Sequence, residues 1–83
     1  MAAVTETPRT RKVIDQAIAL ARHVAHLPAK GLWISYDHDA DVLYISLEKP
    51  QRATNRIMRD NGILLRYRGK RLVGVSVLEA SKR

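Results

Sequence analysis

Three aspartates and one histidine crowd a five-residue stretch near the middle of the chain, Asp37-His38-Asp39-Ala40-Asp41. Carboxylates at alternate positions resemble the start of a calcium loop, because hard cations prefer clustered carboxylate oxygens. Val42 stands where such a loop requires glycine. Since short carboxylates also accept hydrogen bonds from turn amides, we expect Asp37 to cap a turn and Asp39 to be solvated. A metal-dependent enzyme at Asp37, Asp39 and Asp41 is the least favoured function.

Other catalytic groups are scarce. His38 could act as an acid or a base, and His23 and His26 lie one helical turn apart, as metal ligands sometimes do. The last two fall in the polar sector of a predicted helix, where solvation is the simpler role. The chain has no cysteine, no glycine-rich phosphate loop and no serine in a recognisable nucleophile setting. We therefore expect no enzymatic activity and no cofactor.

The formal net charge is +7, from 15 Lys and Arg against 8 Asp and Glu. Such a charge attracts polyanions. The candidate polyanion site consists of Arg56, Arg59, Arg66, Arg68, Lys70 and Arg71. A solvated basic turn at a hairpin tip explains the same residues equally well. Because no element that fits a nucleic-acid groove is evident, we expect any such binding to be weak and salt-sensitive.

Residues 8–27 have the apolar spacing of a helix, with Thr7 as N-cap, Pro8 in the first turn and Pro28 beyond the end. One apolar stripe is the candidate dimer interface and consists of Val13, Ala17, Leu20, Val24 and Leu27. A second stripe lies beside it and consists of Ile14, Ile18, Ala21 and Ala25. Together they are wider than one contact surface requires, which favours a homodimer over a helix buried within one chain.

The remainder alternates in hydrophobicity as strands do. Residues 33–47 predict a hairpin around the acidic turn, residues 56–59 an edge strand, and residues 63–67 and 72–78 two more strands joined at Gly69. Gly74 within the last strand indicates a bulge or the close approach of a large side chain, for which Trp33 is the candidate.

Several segments of this region carry a family resemblance: Tyr36-Asp37, Ala40 to Ile45, Gly62 to Leu64, Leu72 to Val75 and Leu78 to Ser81. In that order, over roughly residues 33–81, the chain resembles the bacterial domain-of-unknown-function 2283 family. The resemblance implies a small β-rich domain without an assigned activity, sometimes suggested to be the antitoxin of a toxin–antitoxin pair. Where such sequences usually carry acidic residues, this chain has Arg68 and Ser76. A partner that recognises those acidic residues in other members of the family therefore need not bind this chain.

These patterns predict a mobile arm at residues 1–7 and a single α+β domain at residues 8–83. In it, an N-terminal helix (about 8–27) packs on a four- to five-stranded antiparallel sheet (about 32–79). The absence of cysteine, of a signal-like N-terminus and of a membrane-spanning apolar run predicts a cytoplasmic protein that does not enter membranes. We expect a homodimeric interaction module with a macromolecular partner, either another protein or, as the alternative, nucleic acid bound by an antitoxin-like regulator.

Overall fold

The helix α1 (Pro8–Val24) begins where the sequence predicts, in a computed structural model that describes residues 6–83. The Thr7 hydroxyl accepts a hydrogen bond from the Thr10 amide at 3.1 Å, which satisfies one of the free amides of the first turn. The helix ends three residues before the predicted Leu27, with Ala25 as its C-cap. The predicted mobile arm lies outside the described residues, apart from its last two positions.

Five strands follow the helix and form one sheet: β1 (Trp33–Asp37), β2 (Val42–Ser46), β3 (Asn55–Met58), β4 (Ile63–Arg68) and β5 (Arg71–Leu78). Their order across the sheet is β1-β2-β5-β4-β3, and every neighbouring pair is antiparallel. A short 3₁₀ turn (Ala80–Lys82) ends the chain. The predicted fold class is confirmed: α+β, with one N-terminal helix and a five-stranded antiparallel sheet. The segment predicted as an edge strand is β3.

The strand register divides the side chains between two faces, because successive residues of a strand point to opposite sides. One face, here called the apolar face, contains an aliphatic row that crosses all five strands: Ile34, Ile45, Val75, Leu65 and Ile57. The adjoining row on this face contains Tyr36, Leu43, Val77 and Ile63. These nine side chains include no charged group, and none is buried.

The opposite face, here called the mixed face, has a row of different composition: Trp33, Ser46, Gly74, Arg66 and Arg56. Beside it lie Ser35, Tyr44, Ser76, Leu64 and Met58. This face therefore combines arginines, aromatic rings and hydroxyls, with small residues at its centre.

Gly74 is approached closely by another side chain, as predicted, but that side chain is Gln51. The Gln51 amide nitrogen donates to the Ser46 hydroxyl at 2.8 Å and to the Val73 carbonyl at 3.3 Å, and it occupies the space that a Cβ at Gly74 would need. Trp33 is the wrong candidate, because its ring lies against Gly31 instead. A register shift beside Arg66 accompanies the close approach and leaves Val73 as an extra residue in β5.

Little of the chain is fully buried. Within residues 6–83 the fully buried side chains are those of Val73 and Ser76. Every helical position from Pro8 to His23 is exposed, and Val24 is half-buried. No helix in this part of the chain is long and apolar enough to cross a membrane.

Replacing Gly74 with Ala should displace Gln51 and remove its two hydrogen bonds, at a cost of about 1–2 kcal/mol in the free energy of unfolding. Chemical denaturation measures this cost. In a Gln51→Ala background the same substitution should cost little, because no side chain is left to displace. If the substitution costs as much in that background as in the wild type, the position of Gln51 is not the reason that residue 74 is a glycine.

Candidate functional site

The predicted dimer interface on α1 is accessible along the helix. Val13 is 57% exposed and Leu20 is 47% exposed, Ala17 is also exposed and Val24 is half-buried, while Leu27 is exposed beyond the end of the helix. The second stripe is exposed as well, including Ile14 and Ile18. Because no residue of the helix is buried, both apolar stripes are open to a partner.

The sheet has a second accessible apolar surface. At its two edge strands, Ile34 of β1 is 44% exposed and Ile57 of β3 is 47% exposed, and both lie on the apolar face. The central strands contribute half-buried aliphatic residues to the same row. Contiguous apolar surface of this kind marks interaction sites in soluble proteins.

The six predicted polyanion-binding residues do not form one cluster. Arg66 lies directly opposite Arg56 on the mixed face, and Arg68 follows two residues later in β4, directly opposite Arg71 of β5. Arg71 forms an ion pair with Glu48, at 2.5 Å between Nε and Oε1. Lys70 is exposed in the β4–β5 turn, and Arg59 is exposed beyond the end of β3. The structure thus places Arg56 opposite Arg66 and Arg68 opposite Arg71, and the Arg71 guanidinium pairs with Glu48.

Of the pair Arg56 and Arg66, Arg66 has a side chain that is held in place by contacts with its neighbours. Its Nη1 donates to the hydroxyl of the buried Ser76 at 3.0 Å. Its guanidinium carbon lies 6.0 Å from the centre of the Tyr44 ring, at the outer limit of a cation–π contact. These two contacts orient the guanidinium and leave several of its five N–H groups for other acceptors.

In the acidic turn, the Asp41 carboxylate accepts hydrogen bonds from two other parts of the fold. Tyr36 donates its hydroxyl proton to Asp41 Oδ1 at 2.5 Å. Ser81 donates its amide to Oδ1 at 3.0 Å and its hydroxyl to Oδ2 at 2.7 Å. Asp41 therefore links the β1–β2 hairpin to the C-terminal turn.

The other residues of this turn have local roles. Asp37 accepts hydrogen bonds from the amides of Asp39 and Ala40, as its predicted capping role requires. The His38 ring packs edge-on against Tyr36, with 4.5 Å between ring centres. His23 is on the exposed helix and His26 is exposed beyond its end.

The geometry offers little to a metal ion. Counted from Asp37, the twelfth position of a calcium loop is Glu48, whose carboxylate is ion-paired with Arg71. Residues 6–83 contain no group of three His, Cys, Asp or Glu side chains arranged to hold a metal. The Asp41 oxygens are already hydrogen-bonded to Tyr36 and Ser81.

These hydrogen bonds lower the pKa of Asp41 below its ordinary value, first through Tyr36 and then through Ser81. The same contact with Asp41 raises the pKa of Tyr36. The ionised carboxylate and the protonated phenol are thus the forms that the fold stabilises.

A family model described as a protein of unknown function, DUF2283, matches residues 33–81, which is more than half of the chain. The chain belongs to the DUF2283 family. No curated protein matches the chain. No solved structure matches it.

The segment that matches DUF2283 begins at the first residue of β1 and ends at Ser81, the hydrogen-bond partner of Asp41. It contains the whole sheet and the Asp41 link, and it excludes α1. Arg68 and Ser76 lie on the mixed face on either side of Arg66.

Asp41→Asn should make the stability of the domain less dependent on pH in the acid range. In the wild type the pKa is lower when folded than when unfolded. The ionised carboxylate therefore contributes stability above the unfolded value of 3.8, and this contribution is lost as the pH falls through the folded value. Urea denaturation between neutral and acid pH measures the change.

Asp39→Asn is the matched control, because it removes the same charge from the same turn without touching Ser81. The wild-type slope of stability against pH should persist in this control. Equal slopes for wild type and Asp41→Asn would contradict the role assigned to Asp41.

Proposed function

We propose that this DUF2283 protein is a non-enzymatic, homodimeric interaction module that binds another macromolecule in the cytoplasm. The observation that carries the proposal is the apolar face, on which three of the nine aliphatic or aromatic residues are exposed and the other six are half-buried. Soluble proteins rarely leave contiguous apolar patches of this kind open to water.

The need for a partner follows from the small buried core. A chain of about this length buries only about 60% of the surface that it exposes when unfolded. Here two side chains of the described residues are fully buried, and no cysteine is present to form a disulfide. A second copy would supply the missing apolar contacts, which is a common source of stability in small domains.

The helix and the sheet have matching dimensions for such a contact. The 17 residues of α1 span about 25 Å at 1.5 Å per residue. The eight residues of β5 span about 27 Å at 3.4 Å per residue. The helix of one copy is therefore long enough to cover the apolar face of the other along its central strand, while the mixed face stays free for the further partner.

A second candidate function is that of a nucleic-acid-associated, antitoxin-like regulator. The observation that favours it is the juxtaposition of Arg56 and Arg66 on the mixed face. Two arginines directly opposite each other repel, and a polyanion would relieve that repulsion.

Leu20→Asp should yield a monomer or an unfolded chain, because it places a charge within the apolar stripe of α1. Multi-angle light scattering gives the mass and circular dichroism gives the folded content. Ala19→Asp adds the same charge to the helix outside both apolar stripes and should remain a folded dimer. If Leu20→Asp is still a folded dimer, this stripe is not part of the dimer interface.

A second matched pair tests the sheet. Ile34→Asp and Ser35→Asp change neighbouring residues of the edge strand β1, but only Ile34 lies on the apolar face. We expect Ile34→Asp to lower the dimer affinity at least tenfold and Ser35→Asp to leave it nearly unchanged, as measured by analytical ultracentrifugation. Equal effects would mean that the apolar face is not the interface.

A further inference from the structure

We infer that the mixed face is a binding surface for single-stranded nucleic acid. The inference rests on the proposed interaction function, for which it names the macromolecular partner. It is carried by three features of one row of residues: an unneutralised pair of arginines, an oriented guanidinium and an exposed indole at the far end.

The charge on this face is not balanced within the chain. Arg56 and Arg66 are in direct register, and within residues 6–83 neither forms an ion pair with a carboxylate. Asp37 lies on the mixed face at the end of β1, where its carboxylate accepts hydrogen bonds from turn amides, and the Glu48 carboxylate pairs with Arg71. Phosphate groups satisfy planar guanidinium donors well, because they accept two parallel hydrogen bonds.

The central guanidinium is already oriented before any ligand arrives. Ser76 is fully buried and fixes one nitrogen of Arg66 through its hydroxyl. The Tyr44 ring lies beside the guanidinium on the adjoining row. Less side-chain entropy is therefore lost when Arg66 binds a phosphate than for a freely mobile arginine.

Trp33 supplies a stacking surface at the other end of the same row. Its ring rests against Gly31 on one side, and the residue as a whole is 42% exposed. Four interstrand spacings separate β1 from β3, which places Trp33 and Arg56 about 19 Å apart across the sheet. Proteins that bind single strands combine such charged and aromatic positions, because every base has a face that can stack.

The shape of the face favours a single strand over a duplex. The major groove of a duplex admits a helix or a two-stranded ribbon, and a face five strands wide is too broad to enter it. Between Trp33 and Arg66 the row contains only Ser46 and Gly74, covered by Gln51. A duplex lying on the arginines would leave Trp33 unused, whereas an extended single strand can reach both ends of the row.

The test measures fluorescence anisotropy of a labelled oligothymidine strand with the full chain over a range of salt concentrations. Trp33→Ala should weaken binding about fivefold to a hundredfold, the range for loss of one base stack. Arg56→Gln should reduce the magnitude of the slope of log affinity against log salt by about 0.7, the value for one phosphate contact on a single strand. Arg22→Gln removes the same charge from the exposed helix and should leave that slope unchanged.

Light scattering on the same samples separates this inference from the proposed dimer. A folded dimer that fails to bind the strand at low salt would overturn the inference alone, whereas a folded monomer would overturn the proposed dimer. Equal losses of affinity for Arg22→Gln and Arg56→Gln would mean that the strand is held by the overall charge of the protein and not by the mixed face. Tighter binding of the matched duplex, or equal competition by polyglutamate, would also overturn the assignment.

Discussion

Antiparallel pairing in a fixed register is the constraint on which the rest of the structure depends. Because side chains alternate, the order β1-β2-β5-β4-β3 collects five aliphatic residues in one row and places Arg66 opposite Arg56 in the row behind it. A slip of one residue in β4 would exchange the two faces of that strand. The proposed dimer and the proposed ligand surface are therefore two consequences of one register.

Asp41 protects that register at one end of the sheet. It binds Tyr36 from the first strand and Ser81 from the C-terminal turn, 40 residues away in the sequence. The segment that matches DUF2283 ends at Ser81, so it contains both partners of this link. The acidic turn, which in the sequence suggests metal chemistry, thereby has a structural role that its hydrogen bonds explain.

Local patterns predicted much of this fold. The Thr7 cap, the five strands and the edge position of β3 follow from spacing and turn residues near one another in the chain. Contacts between distant segments were not predictable in the same way. Gln51 over Gly74, and Trp33 in the same row as Arg66, depend on which strands become neighbours, and hydrophobic alternation within one strand carries no information about that order.

The central claim is that two copies share the apolar surface that one copy leaves open. The most direct measurement is the thermal unfolding midpoint of the wild-type chain over a wide range of protein concentrations. Association coupled to folding predicts a midpoint that rises with concentration, since mass action favours the folded dimer. A sharp, reversible transition at one temperature across the whole range would show that a single copy folds alone and would contradict the claim.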